Sequence, residues 1–153
     1  MCLRYLLAAS LLILLAVPAM SETADETPLP TVQLSLPGGQ TLTLEKAVTP
    51  HQQNLGLMFR PALAADHGML FPFSTTDRHG IWMKNMLIPI DILWLDDHRT
   101  IVHIEPNVPP CRQEPCLIYQ PPTPARYVIE LAAGAAAKDG LATGLSISLP
   151  ASD

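Results

Sequence analysis

The sequence predicts a β-rich α+β fold, in which a compact, barrel-like antiparallel sheet is accompanied by one or two short helices. Many short segments alternate apolar and polar residues, which is the period of half-buried strands. Stretches with helical character are few and brief. A parallel α/β fold would need longer helices between its strands, and the sequence lacks them.

The N-terminal part of the domain is predicted to form a hairpin followed by a short helix. Apolar and polar residues alternate over residues 32–36 and again over residues 41–44, on either side of a Pro-Gly-Gly turn. Thr49 followed by Pro50 is typical of a helix start, and Gln52 stands in the position that completes a capping box.

Two further strands are predicted in the middle of the chain. The first covers residues 68–73, where Pro72 indicates an edge strand or a bulge. The second lies in the mostly apolar segment 80–96 and is predicted to be buried on both faces. Alternation places Ile90, Ile92 and Trp94 on one face and Asp91, Leu93 and Leu95 on the other.

The C-terminal half is predicted to alternate strands with less regular segments. Strands are expected at residues 100–105 and 127–131, and the Pro-rich stretch 107–124 between them is irregular. One or two helical turns over residues 132–138 are expected to end at Gly140. A last strand is predicted from three alternating apolar residues, Leu145, Ile147 and Leu149.

The N-terminus is predicted to be a signal peptide (residues 1–19), followed by a flexible leader (20–30) and a single domain (31–150). Arg4 precedes an apolar core, and the segment 17–19 offers the small residues that a signal peptidase reads. The apolar run is shorter than the roughly 20 residues of a membrane-spanning helix. We therefore expect a periplasmic or otherwise exported protein, the alternative being a membrane anchor formed by an uncleaved N-terminal segment.

Composition and motifs exclude several classes of function. The formal net charge is −5 and Lys and Arg form no run, which argues against nucleic acid and anionic membrane as partners. The chain contains no Gly-x-Ser-x-Gly elbow, phosphate-binding loop or His-Glu-x-x-His motif. We assign no catalytic residue, cofactor or metal, and favour a non-catalytic role while an enzyme with an unrecognised site stays open.

Two cysteines beyond the predicted signal, Cys111 and Cys116, lie in one Pro-rich loop. In an oxidising compartment such a pair is expected to form a disulfide that closes a small loop. A redox-active pair is the alternative. However, the spacing is four intervening residues rather than two, and no thioredoxin-like βαβ pattern surrounds it. We therefore expect a structural bond.

Polar residues in and near the apolar segment 80–96 are the candidate ligand-binding residues: Arg60, Trp82, Lys84, Asn85 and Asp91. Lys84 and Asn85 would suit a polar or anionic ligand, and Asp91 could act as an acid, a base or an anchor. The alternative is a structural role. In that case Asp91 pairs with Lys84, Arg60 or Arg126, and we expect it to be ionised, largely buried and held by Lys84 or Arg60 in the first place.

Thioether and imidazole side chains suggest Cu(I) handling as a further hypothesis, because such ligands suit this ion. The set comprises Met58, Met69, Met83, Met86, His67, His79 and Trp82. Against it, Met is an ordinary filler of hydrophobic cores, and no Met-x-Met or His-x-His spacing occurs. We therefore favour a role in the core.

Several segments, taken together and in order, closely resemble the DUF192 family. They are residues 56–60, 68–71, 82–85 with 88–92, Pro110 and Cys111 with Cys116 and Tyr119, and 127–130 with Gly134. The resemblance covers about the whole predicted domain. It implies a small exported or membrane-associated bacterial or archaeal protein with a β-rich, barrel-like fold, and it implies no activity.

Three functions remain in view. The first is an exported, non-catalytic binding or accessory module of the bacterial envelope, whose partner is a small polar ligand or an envelope protein. The second is an enzyme with a site around Arg60, Lys84, Asn85 and Asp91. The third is a Cu(I)-handling protein. We expect membrane contact only through an uncleaved N-terminal segment.

Overall fold

The structure, a computed structural model that describes residues 28–149, is built mainly from strands. In chain order its elements are β1 (Thr31–Ser35), β2 (Thr41–Lys46), α1 (Pro50–Leu55), β3 (His67–Asp77), β4 (Ile81–Trp82), β5 (Ile90–Leu95), β6 (Ile101–Val108), β7 (Ile118–Tyr119), β8 (Ala125–Ala132) and α2 (Ala135–Lys138). The β-rich fold with two short helices is confirmed.

Six strands form the main sheet in the order β1-β2-β3-β8-β5-β6, and β4 pairs with β7 in a separate small sheet. The prediction of an antiparallel sheet is wrong at one place, since β2 and β3 run parallel. The chain returns to the sheet through α1, and such a crossover is what a parallel pair requires. The sheet is open, with β1 and β6 at its edges, so the description as barrel-like holds only loosely.

The predicted last strand is also wrong. The segment after α2 makes two isolated bridges, from Ser146 to Thr100 and from Ser148 to Ser35. It therefore crosses between the two edges of the sheet without forming a ladder with either. Ile147 and Leu149 of this segment are nevertheless buried in the hydrophobic core.

The hairpin and the start of the first helix form as predicted. Strands β1 and β2 pair antiparallel in a continuous register from Thr31 to Ser35. At α1 the Thr49 side chain accepts the backbone N–H of Gln52, and the Gln52 side chain accepts the N–H of Thr49 in return. This reciprocal pair satisfies two of the donors that a helix start leaves free.

Strand β3 lies inside the sheet, between β2 and β8, so the edge position predicted for Pro72 is wrong. The bulge that was the other prediction is present, because the pairing with β8 is irregular between Pro72 and Asp77. A bulge leaves a residue without a ladder bond, which is how an interior strand tolerates proline.

Strand β5 is buried on both faces, as predicted, and it separates two apolar clusters. Ile92 and Trp94 belong to the cluster beneath the segment that follows α1 and the small sheet. Leu93 and Leu95 belong to the cluster beneath α2 and the C-terminal segment. Full burial of a side chain of this size contributes roughly 1.5–3 kcal/mol, so both faces stabilise the fold.

The predicted disulfide between Cys111 and Cys116 is present. It closes the Pro-rich loop beside the small sheet, where the Cys111 N–H also donates to the Met83 carbonyl oxygen at 3.0 Å. The predicted signal peptide and most of the predicted leader lie outside the described residues. No helix within residues 28–149 is long and apolar enough to cross a membrane.

Candidate functional site

Glu130 is a buried acid on a central strand of the sheet. It lies on β8, opposite Met69 of β3 and Ile92 of β5, and only 4% of its surface is exposed. Burial raises the pKa of its carboxyl to about 8, and the positive charge of Arg60 opposes this only in part. The side chain is therefore mainly protonated at neutral pH.

A narrow groove lies against Glu130. It holds a cavity of about 30 Å³ and is lined by Leu55, Gly56, Met58, Phe71, Trp82 and Met86, besides Glu130. The Glu130 Oε2 atom is buried and has no hydrogen-bond partner among residues 28–149. A buried polar atom without a partner costs about 1–3 kcal/mol, so this one calls for an explanation.

Gly56 keeps one wall of the groove open. Its φ is +49° and its ψ is −133°, a conformation that only glycine adopts readily. A Cβ at this position would lie 3.4 Å from Phe71 Cζ and 3.9 Å from Glu130 Oε2. The absence of a side chain therefore leaves space next to the unpartnered carboxyl oxygen.

The cation that faces Glu130 is already engaged. Arg60 Nη1 and Nη2 donate to the two carboxylate oxygens of Glu45 at 2.6 and 2.7 Å. These hydrogen bonds hold the pKa of Glu45 below its usual range. The pair is neutral as a whole, so Arg60 compensates the charge of Glu130 only in part, and no hydrogen bond joins these two residues among those described.

The rim of the groove is apolar and partly exposed. Trp82 on β4 is 46% exposed and Leu55 at the end of α1 is 44% exposed. Lys84 Nζ lies 5.6 Å from the centroid of the Trp82 ring and 2.9 Å from Glu114 Oε1. Exposed apolar side chains around a buried polar group are typical of ligand-binding sites.

This arrangement allows a limited chemistry. A protonated Glu130 can donate one hydrogen bond to an acceptor, and an ionised Glu130 can accept hydrogen bonds from a cation. The cavity exceeds the roughly 10–15 Å³ that one water molecule needs, so it admits a group of about that size. Within the part of the chain that the structure describes, the groove lining contains no second titratable side chain.

A wider concavity of about 480 Å³ lies on the other side of Gln53. Its lining includes Phe73, Arg126 and Tyr127, each of which is half-buried. Gln53 uses its side-chain amide to donate to the carbonyl oxygens of Ala47 and Pro72. We place the candidate site at the narrow groove, because an unpartnered acid with a strongly shifted pKa marks functional sites better than volume does.

Three of the five candidate residues from the sequence lie at or beside this groove. Trp82 forms part of its lining, and Arg60 acts on the charge of Glu130. Asn85 Nδ2 lies 3.7 Å from the sulfur of Met58, which is another lining residue. Lys84 is one step further out, against the Trp82 ring. Ligand binding by these residues stays a prediction.

Asp91, the fifth candidate, lies on the opposite face of the sheet and is fully buried, as predicted. The predicted cationic partner is wrong. Asp91 Oδ1 accepts the backbone N–H groups of Asn107 and Gly134 at 2.8 and 3.0 Å, and Oδ2 accepts that of Ala136 at 2.9 Å. The first N–H groups of a helix have no partner within it, so the start of α2 supplies two of the donors and Asn107 on β6 supplies the third, in place of the side chain that we expected.

The sulfur and imidazole side chains that suggested copper make contacts with different parts of the protein. Met69, Met83 and Met86 are buried in the apolar cluster. His67 pairs with Asp66, and the ring of His79 stacks on that of Phe73 at 3.7 Å. Within residues 28–149 no three His, Cys, Asp or Glu side chains form a group that could hold a metal ion.

Sequence reasoning missed Glu130. The signal was available, because Glu130 stands between Ile129 and Leu131 in a segment predicted to be a strand. Neighbours on the strand do not reveal burial, however, since alternation alone would place a glutamate on a solvated face. Burial of that face results from the segment that follows α1 and from the small sheet, which are distant in sequence.

Comparison with known proteins identifies the chain by family and by fold. The DUF192 family model, described as Uncharacterized ACR, COG1430, matches residues 32–149. A crystal structure from Sinorhizobium meliloti, described as a candidate transcription regulator, is 38% identical with a TM-score of 0.72, over 81% of this chain and 97% of that one. A protein of unknown function from Novosphingobium aromaticivorans is 29% identical with a TM-score of 0.69, over 77% and 83%. No curated protein matches the chain.

Proposed function

Because this chain belongs to the DUF192 family, which has no settled biochemical function, we propose a function from the site itself. The protein is an exported, non-catalytic binding module of the bacterial envelope. Its ligand lies in the groove beside α1 and places one small polar group against Glu130. The observation that carries this proposal is Glu130 in the lining of the cavity, a buried acid whose Oε2 atom has no hydrogen-bond partner among the described residues.

Binding is favoured over catalysis because the groove offers a single titratable group. Acid and base roles in enzymes are commonly divided between two titratable groups with separated pKa values, and no second titratable side chain lines the groove in the described part of the chain. We do not propose the enzyme site that the sequence suggested around Arg60, Lys84, Asn85 and Asp91. Asp91 lies across the sheet from the other three, and its oxygens accept three backbone donors.

A role with nucleic acid is not extended to this chain from the Sinorhizobium protein. The description as a candidate regulator belongs to that protein. This chain has a formal charge of −5 and no run of Lys and Arg, whereas nucleic-acid binding depends on neutralising phosphates.

Ligand retention tests the proposal directly. The protein, expressed with its own N-terminus and purified from the periplasm, is analysed by native mass spectrometry. We expect a bound small molecule in the wild type and its loss in Trp82→Ala, since Trp82 lines the groove. Leu87→Ala is the matched control, because Leu87 is similarly exposed and apolar but lies outside the lining. A wild type without ligand, even after incubation with periplasmic small molecules, would contradict the proposal.

The expected export has its own test. Cleavage after Ala19 predicts that the mature protein begins at Met20, which N-terminal sequencing of the periplasmic fraction measures. A chain that starts at Met1 in the membrane fraction would favour the anchored alternative. A chain that starts at Met1 in the cytoplasm would contradict export.

A further inference from the structure

We propose that the group bound against Glu130 is a primary ammonium carried by an unbranched alkyl chain. This inference rests on the proposed function and adds the chemical class of the ligand. It starts from the unpartnered Oε2 atom, which is a hydrogen-bond acceptor once the carboxyl is ionised. A primary ammonium brings three donors and the positive charge that a buried carboxylate requires.

The charge around Glu130 favours a cation from outside. Arg60 is the charged group that faces Glu130, and it is committed to Glu45 through two hydrogen bonds. Lys84, which lies against the Trp82 ring, is paired with Glu114, and the His67 ring contacts Asp66 Oδ1 at 2.8 Å. An ionised Glu130 would therefore be the uncompensated charge of the groove.

The lining of the groove suits an alkyl ammonium. The faces of Phe71 and Trp82 are electron-rich, and cations are attracted to such rings at distances up to about 6 Å. The ammonium of Lys84 already lies 5.6 Å from the Trp82 centroid. The thioethers of Met58 and Met86 and the side chain of Leu55 offer apolar surface to the methylene groups.

The size of the cavity selects among cations. A volume of about 30 Å³ admits a group about as large as a water molecule, which an ammonium is. A planar guanidinium or a trimethylammonium head contains four heavy atoms, so it fits this small volume less well than an ammonium does. Gly56 adds to this selection because its missing side chain leaves room for one small group beside Oε2.

Binding of an ammonium must release a proton. The free protein holds Glu130 as a carboxylic acid at neutral pH, since burial raises the pKa of this group to about 8. The bound ammonium requires the carboxylate, so each binding event below pH 8 sends one proton from Glu130 to solvent. Affinity should then increase about tenfold per pH unit from pH 6 to 8. It should fall again as the amine itself loses its proton above roughly pH 10.

Titration of the full mature protein with three probes tests the inference: n-pentylamine, pentan-1-ol and pentyltrimethylammonium. Calorimetry at pH 8 should give n-pentylamine a Kd at least tenfold lower than those of the other two. Paired buffers of different ionisation enthalpy should report one proton released per amine at pH 6.5. The indole N–H signal of Trp82, assigned by Trp82→Phe, should shift on binding.

Variants and a second ammonium source complete the test. Glu130→Gln should reduce the affinity for n-pentylamine to that for pentan-1-ol, while Glu105→Gln, at a half-exposed carboxylate of β6, should leave it unchanged. If Glu130→Gln fails to fold, the pH profile and proton count of the wild type decide alone. An acetylated Gly-Lys-Gly peptide that binds more tightly than n-pentylamine would support the ammonium and identify a protein lysine as its source.

The outcomes separate the two proposals. Equal affinity for n-pentylamine and pentan-1-ol at every pH, without proton release, would overturn the ammonium and leave the groove as a binding site. If no probe binds and the Trp82 signal does not move, the ammonium is overturned as well. In that case a wild type that also retains no ligand from the periplasm overturns the proposed function too.

Discussion

Two buried carboxyl groups lie on paired strands of the main sheet and point to opposite faces. Asp91 on β5 stands opposite Leu131, and Glu130 on β8 stands opposite Ile92, so the two are offset by one position. Asp91 accepts three backbone N–H groups, whereas Glu130 Oε2 has no partner among the described residues. The three hydrogen bonds that Asp91 accepts stabilise the fold, and they explain why a carboxylate is buried there. Glu130 costs stability, which is typical of a group retained for function.

Replacement of each buried carboxyl group by its amide tests this comparison, and Asp91→Asn is expected to have the largest effect on stability. The amide nitrogen of Asn would face a backbone N–H that now has an acceptor, and the charge would be lost from the remaining hydrogen bonds. We expect a loss of about 3–5 kcal/mol in the free energy of unfolding, measured with denaturant at pH 7. Asp97→Asn, at an exposed turn, is the control and should change little. An unchanged midpoint for Asp91→Asn would mean that these donors do not depend on the carboxylate.

The substitution Glu130→Gln is expected to act in the opposite direction. In the unfolded chain the carboxyl loses its proton near pH 4.5, whereas the folded protein holds that proton until about pH 8. The unfolded state binds fewer protons between these values, so wild-type stability falls as pH rises through this window. The variant lacks this loss, and we expect it to be more stable than the wild type by about 4 kcal/mol at pH 8 and nearly equal at pH 4.5.

Denaturant midpoints of both proteins across this pH range measure the effect. A Glu130→Gln variant that is less stable than the wild type at pH 8 would show that Glu130 has a stabilising partner.

Gly56→Ala tests the role of the groove wall beside Glu130. The positive φ of Gly56 disfavours any side chain, and the new Cβ would occupy the space between Phe71 and Glu130, 3.4 Å from Phe71 Cζ. We expect a loss of about 2 kcal/mol and weaker binding in the groove. Gly140→Ala is the control, since Gly140 also has a positive φ but a Cβ there meets nothing within 4 Å. Equal losses for the two variants would show that backbone strain alone is responsible.

Removal of the disulfide should have the smallest effect on the sheet. The loop between Cys111 and Cys116 is short, and the loop-entropy model assigns it roughly 2 kcal/mol at most. We expect the Cys111→Ser, Cys116→Ser double variant to stay folded, with faster hydrogen exchange confined to the Pro-rich loop and the small sheet. Peptide mapping without reduction checks the bond in the exported protein. Global unfolding of the double variant would contradict this local role.

The sequence predicted local features well because they depend on nearby residues. The capping box at Thr49, the hairpin of β1 and β2 and the two faces of β5 follow from spacing alone. The parallel pairing of β2 with β3 and the open edges of the sheet were missed. They depend on how distant strands meet, which periodicity does not encode.

The surroundings of the two carboxyl groups, Asp91 and Glu130, also depend on residues that are distant in sequence. Burial of Asp91 could be predicted because its whole strand is apolar, but its partners are backbone groups: one is the N–H of Asn107 on β6, and the other two lie at the start of α2, over 40 residues away. Glu130 gave no comparable signal, since one polar residue in a strand usually faces solvent. Its burial depends on the groove walls, to which Gly56 and Trp82 belong and which the tertiary fold brings together.

In the ligand-free protein Glu130 is expected to be a protonated acid at neutral pH. A carbon-13 NMR titration of glutamate side-chain carboxyl signals in the free protein measures this most directly, with Glu130→Gln used to assign the resonance. We predict a midpoint near pH 8 for Glu130. A midpoint near the ordinary glutamate value of about 4.3 would contradict the account, because the carboxylate would then already be solvated or paired.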